Sequence, residues 1–136
     1  MNVIASKTVA VSKLLDTTDV ITLPLNSISF NPDVVVLKSV SFHDENKISD
    51  VMNGYFMIES NLSSDDIFHF TPQVGYTYDG TDHMAHQTLC VNPGVEIHMQ
   101  GNHIPNTLTF KLKYQSGVMP STTKTLSLVL QFIKYA

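Results

Sequence analysis

The sequence predicts an all-β fold, a sandwich or barrel of antiparallel strands, and three observations carry that prediction. Leu108, Phe110, Leu112 and Tyr114 alternate strictly with Thr107, Thr109, Lys111 and Lys113, and a second alternating run, 124–135, closes the chain. Such period-two alternation is what a half-buried strand requires, because successive side chains point to opposite faces of a sheet. Shorter β-rich runs recur at regular intervals through the rest of the sequence, and none shows convincing helical periodicity.

Taken in order, strands are expected at residues 3–11, 20–25, 34–42, 54–60, 67–70, 89–91, 95–99, 106–114 and 125–135. The separators have identifiable turn chemistry: Asn31-Pro32-Asp33, Asn53-Gly54, Asp79-Gly80 and Asn92-Pro93-Gly94. They combine the fixed φ of proline, the positive-φ tolerance of glycine and Asx hydrogen bonding. Gly117 and Pro120 mark the loop 115–123 between the last two strands. Pro24 cannot donate to a ladder, so the second strand belongs at a sheet edge or carries a bulge. The polar segment 43–51 has room for a short helical turn. Ser63-Ser64-Asp65-Asp66 has capping-box spacing, but the apolar run after it is too short for a helix of any length. Residues 71–87 form the longest stretch without a strand signal, and a loop of that length in a compact β-domain is often functional. Leu108, Phe110, Leu112, Leu126, Leu128, Leu130 and Phe132 are the expected core positions.

Composition bounds the function. The chain has 136 residues, 43% of them hydrophobic and 15% charged, which suits one globular domain spanning 1–136. The formal net charge is −4, and all eight basic residues are lysines. Arginine is the preferred residue for bidentate phosphate contacts and minor-groove insertion, so direct nucleic-acid binding is not expected. The single cysteine, Cys90, sits between Leu89 and Val91 and reads as a buried free thiol. No charged segment followed by a long apolar one opens the sequence, and no apolar run is long enough to span a bilayer. Synthesis in the cytoplasm without a signal peptide is therefore expected, and the sequon Asn61-Leu62-Ser63 carries no weight.

Three or four imidazoles of His83, His86, His98 and His103 would suit a transition metal if the 71–87 segment folded over the strand at 95–99. The segment from Pro93 to Asn102 resembles the second metal-binding motif of cupins, and that resemblance implies a cupin-like metalloprotein. The spacing of His83 and His86 does not place both on one face of a strand, and the upstream cupin motif is missing, so no metal and no other cofactor is expected. No serine lies in a nucleophile elbow, Asp44-Glu45 and Asp65-Asp66 read as solvated pairs, and no glycine-rich phosphate cradle occurs. Enzymatic activity is not expected.

The segment 71–87 points instead to recognition. Tyr76, Tyr78, Asp79, Asp82, His83 and His86 form a candidate interaction loop, with amphipathic rings suited to a protein interface. The same rings beside carboxylates would suit a sugar, and a lectin-like module binding a host glycan is the alternative reading.

Taken whole, the sequence resembles the single jelly-roll proteins of the capsids of double-stranded DNA viruses. The resemblance rests on eight to nine strand signals in a short chain, Met1 without a signal segment, and the closing pair at 107–114 and 126–135. It implies an antiparallel jelly-roll sandwich and a penton-like, minor capsid or decorating subunit. Such a subunit would reside in the virion and assemble with itself and with other capsid proteins through its end loops.

Overall fold

The computed structural model describes residues 2–15, 20–25, 28–44, 56–70, 73–76, 83–99, 105–114 and 124–136, with backbone only at 44, 73–76, 83–93 and 124. These residues form nine strands: β1 (Val3–Leu15), β2 (Val20–Pro24), β3 (Val34–Asp44), β4 (Phe56–Ser60), β5 (Phe68–Phe70), β6 (Gln73–Tyr76), β7 (His83–His98), β8 (Thr107–Tyr114) and β9 (Lys124–Tyr135). They build two sheets, one of five strands in the order β1-β9-β3-β7-β6 and one of four in the order β2-β8-β4-β5. Every pairing is antiparallel.

The pairing defines the fold. With β6 set aside, the strands pair from the outside inward: β1 with β9, β2 with β8, β3 with β7 and β4 with β5. Successive pairs fall in alternate sheets, as if one long hairpin had been rolled around a core, and this is the jelly roll. The expected all-β antiparallel jelly-roll sandwich is the fold observed. Pro24 lies on β2, an edge strand of the four-stranded sheet, where its missing N–H costs no ladder bond.

Alternation does the packing. Leu108, Phe110 and Leu112 of β8 and Leu126, Leu128, Leu130 and Phe132 of β9 are all buried, together with Val35, Leu37, Val40 and Phe42 of β3 and Phe56 and Ile58 of β4. These inner rows interlock across the sandwich. Phe42 of the five-stranded sheet lies 5.0 Å from Phe56 and 6.0 Å from Phe70 of the four-stranded one, centroid to centroid. Phe56 in turn stacks on Phe70 at 5.5 Å. Such tilted and offset pairs add to the burial of each ring.

Three expectations fail. Residues 89–91 and 95–99 were expected as separate strands around an Asn92-Pro93-Gly94 turn, but they belong to the single strand β7, which continues to His98. Leu37 pairs with Val95 and Ser39 with Cys90, so β7 advances five residues while β3 advances two. The surplus is a large bulge that absorbs the proline and glycine without ending the strand. Glycine suits position 94, since a Cβ there would overlap Val36 Cγ1 and stand 3.1 Å from the Leu37 carbonyl. The second failure is the segment 71–87, expected as an irregular loop. It contains β6 and the start of β7, which form a hairpin at the edge of the five-stranded sheet. His43 and Asp44, expected in a helical turn, extend β3. The Ser63-Ser64-Asp65-Asp66 segment makes a local turn, with Asp65 N–H donating to Ser63 Oγ at 3.2 Å, and no helix.

Candidate functional site

The hairpin β6–β7 carries the residues singled out as an interaction loop. Tyr76 pairs with His83 and Gln73 with His86, so Tyr76, His83 and His86 are placed on strands rather than in a loop. Tyr78, Asp79 and Asp82 lie outside the described residues, as does the loop 115–123. The backbone register also sets His43 of β3 opposite His86, a juxtaposition that sequence spacing could not reveal because 43 residues separate the two.

Of the histidines considered as metal ligands, His86 and His98 lie far apart along β7. His86 pairs with His43 and His98 with Val34, nine residues apart along β3. At about 3.4 Å per residue that separation is roughly 30 Å. His98 is exposed and its Nε2 lies 3.3 Å from Glu96 Oε2. His103 lies outside the described residues, as does the side chain of Cys90. Among the described residues no three His, Cys, Asp or Glu side chains converge as a metal site would require.

The two ends of the sandwich differ in what they hold. At one end lie the termini of the described chain, fastened by side chains from the turns. Asp33 donates its N–H to the Ile133 carbonyl at 2.8 Å, accepts from Met99 N–H at 2.9 Å, and through Oδ2 accepts from Tyr135 N–H at 2.8 Å. Asn61 extends the β4–β8 ladder with its side chain, donating to the Thr107 carbonyl at 2.9 Å and accepting from Thr109 N–H at 3.0 Å. This use of Asn61 gives the sequon residue a structural role. At the opposite end β1, β3, β5, β6 and β8 terminate, so five connections begin together, the one between β6 and β7 among them.

The outer faces differ as well. On the four-stranded sheet Lys111 and Lys113 project beside Glu59, and Lys113 Nζ lies 2.7 Å from Asp66 Oδ1 and 3.9 Å from Glu59 Oε1. The hydrogen bond to Asp66, reinforced by the charges of Asp66 and Glu59, raises the Lys113 ammonium above its ordinary value of 10.5 against an opposing desolvation. A shallow depression of ≈ 380 Å³ lies beside this face, lined by Glu59, Asn61, Thr109 and Lys111 among others. A second, of ≈ 540 Å³, lies between the turn after β4 and the end of β7, where Asp66, Glu96 and His98 reach it. Both are open surface hollows.

On the five-stranded sheet the outward positions of β1, β9 and β3 form five cross-strand rows, from Ser6–Ile133–Val34 to Leu14–Thr125–His43. None of those fifteen positions is aspartate, glutamate or lysine. At the chain's 15% charged content about two would be expected, and more at a surface, where charged residues concentrate. Hydroxyl pairing runs across it, with Ser12 Oγ 2.6 Å from Ser127 Oγ and Gln131 Nε2 donating to Ser6 Oγ at 3.0 Å. The signal for this face stood in the sequence, in the uncharged outward positions of the 124–135 run, but only the register joins it to β1 and β3.

No family model matches the chain and no curated protein matches it. Among solved structures, that of tomato aspermy virus aligns over 96% of this chain and 79% of the other, at 10% identity and a TM-score of 0.36. That of desmodium yellow mottle tymovirus aligns over 96% of this chain and 89% of the other, at 11% identity and a TM-score of 0.27. The jelly-roll assignment rests on the strand pairings themselves. No helix among the described residues is long and apolar enough to cross a membrane.

Proposed function

We propose that this chain is a structural subunit of a viral capsid, acting through contacts with copies of itself and with other capsid proteins rather than through chemistry. The observation that carries the reading is the nested jelly-roll pairing, with five of the nine strands ending at one end of the sandwich. A sandwich of this kind satisfies its backbone polar groups in its own ladders and so presents a rigid body. Loops leaving one end of a rigid body are free to serve recognition, because they contribute little to the core. Repeated copies of such a body close into rings or shells when the contacts are heterologous, and into dimers when they are isologous. Within a shell, the absence of arginine and the scattered lysines suit a penton-like, minor or decorating position better than one lining the genome.

The test is the mass of the native assembly, by analytical ultracentrifugation and electron microscopy of the purified chain. The reading expects a discrete oligomer or shell. Deleting residues 76–82 should leave the melting transition in place while weakening assembly. If the deletion instead abolishes binding to a glycan array and leaves assembly unchanged, the lectin-like reading replaces this one.

A further inference from the structure

We infer that the uncharged outer face of the five-stranded sheet is a two-fold interface with a second copy of this chain. The inference rests on the reading above that the chain assembles with itself, and it names a surface away from the end loops. Three features converge on the face. Its fifteen outward positions carry no fixed charge; Val34 and Val36 are buried, and the other thirteen are half-buried or exposed. Three of the four large hydrophobic side chains that stand exposed among the described residues, Val3 (54%), Ile4 (59%) and Leu14 (57%), lie on β1 at its two ends. Its β7 side is flanked by Glu96 and His98 of β7 and by Lys38, the extra residue of a β3 bulge where Leu37 and Ser39 pair with the consecutive Leu130 and Val129 of β9. An uncharged centre with a charged rim is the anatomy of a protein interface.

The occupant is argued from charge and area. A face without charge offers a charged partner nothing to pair with, yet meets its own copy without like-charge opposition. Three strands of roughly ten residues, spaced about 4.8 Å apart with a rise near 3.4 Å, cover roughly 490 Å². Two copies would together bury roughly 1,000 Å², the lower range of specific interfaces. A contact of that size is weak alone and suits an assembly closed by several contacts. Lateral pairing through the β1 edge is less suitable, because Lys7 and Lys13 lie on its core-facing side and remain exposed, an arrangement that guards edges.

Lys38 fixes the orientation. A two-fold axis perpendicular to the strands, through the middle row Ala10–Val129–Ser39, would set Lys38 against Lys38. An axis running along β9 instead lays β1 of each copy over β3 of the other, with Val129 facing Val129 and Ala10 facing Ser39 beside Lys38. Aligned packing of two sheets permits this arrangement.

Sedimentation of the full chain across a concentration series, with each variant's melting transition recorded, tests the inference. Val129→Lys and Val129→Glu should each weaken dimerisation by about tenfold or more, and an equimolar mixture of the two should restore it. Ala10→Lys, at an exposed site, should weaken dimerisation, whereas Ala10→Glu should not. Oligomers indifferent to both Val129 variants would overturn the face while leaving the capsid reading standing. Equal weakening by both Ala10 variants would overturn the axis along β9. A wild-type chain that stays monomeric at every concentration would overturn the capsid reading and the face together.

Discussion

The two sheets of this sandwich have the same inner face and opposite outer ones. Inside, β8 and β9 contribute matching rows of leucine and phenylalanine, all buried. Outside, β8 carries Thr107, Thr109, Lys111 and Lys113, with Glu59 of the neighbouring β4 opposite Lys111. β9 carries Thr125, Ser127, Val129, Gln131 and Ile133 in the equivalent positions. The inner rows specify the fold, since burying them is the dominant favourable term. The outer rows are free of that demand and record what each face meets. A lysine-bearing face is compatible with water, and a face of hydroxyls and aliphatics without charge is what a partner would leave behind.

If that division is correct, core truncations on either sheet should cost alike, and these are the largest effects expected. Phe110→Ala on the four-stranded sheet should destabilise the domain by about 3–5 kcal/mol and Leu128→Ala on the five-stranded sheet by about 2–5 kcal/mol. Denaturant unfolding with an unchanged m-value measures both. A loss below about 0.5 kcal/mol at either site would break the comparison, because that inner row would then not be shared core.

Gly94→Ala probes the five-stranded sheet where it departs from regularity. The added methyl would overlap Val36 Cγ1 and stand 3.1 Å from the Leu37 carbonyl, so β7 or Val36 must shift. Overpacking of this kind costs about 1–3 kcal/mol. Combining it with Val36→Ala removes the first clash and should recover part of the loss, a coupling that a double-mutant cycle reads directly. Two losses that simply add would place the strain elsewhere in the bulge.

The bulge also marks where the sequence was legible and where it was not. Long alternating runs such as 107–114 and 124–135 exposed their strands because burial on one face leaves a period-two record. Pro93 and Gly94 carry the same turn chemistry whether they end a strand or interrupt it, and only the pairing partner decides between the two. Gln73-Val74-Gly75-Tyr76 is too short and too polar to show a period, so β6 read as loop. The candidate tip was found as a cluster of tyrosines, aspartates and histidines. Its resolution into a hairpin depends on a local pairing of Gln73 with His86 and Tyr76 with His83, whereas the row that joins Ser12 to Ser127 and Ser41 depends on contacts between residues more than 80 positions apart.

Asn61→Ala sharpens the comparison at the fastened end of the four-stranded sheet. The amide makes two hydrogen bonds to the edge of β8, to the Thr107 carbonyl and from Thr109 N–H. Both backbone groups can turn to water once the side chain is removed, because the site is exposed. The cost should therefore be about 0.5–1.5 kcal/mol, below the core truncations. Asn61→Asp separates the two bonds, since a carboxylate keeps the acceptor for Thr109 N–H and loses the donor to Thr107. Its melting point should fall between those of the wild type and Asn61→Ala.

The smallest effect belongs to the charged face itself. Asp66 holds Lys113 at 2.7 Å on the outside of the four-stranded sheet, where solvent and salt screen the pair. The hydrogen bond to Asp66 raises the Lys113 pKa above 10.5, so its stabilisation is complete below that value and is lost as pH climbs through the higher folded one. Lys113 should therefore titrate later in the wild type than in Asp66→Asn, as followed by the ε-methylene resonances in a two-dimensional NMR titration above pH 9. Added salt should narrow the gap between the two proteins. Coincident titration curves would mean that the ion pair does not hold in solution, and that the outer face of the four-stranded sheet is set apart from its opposite number by the presence of charge alone, not by its organisation.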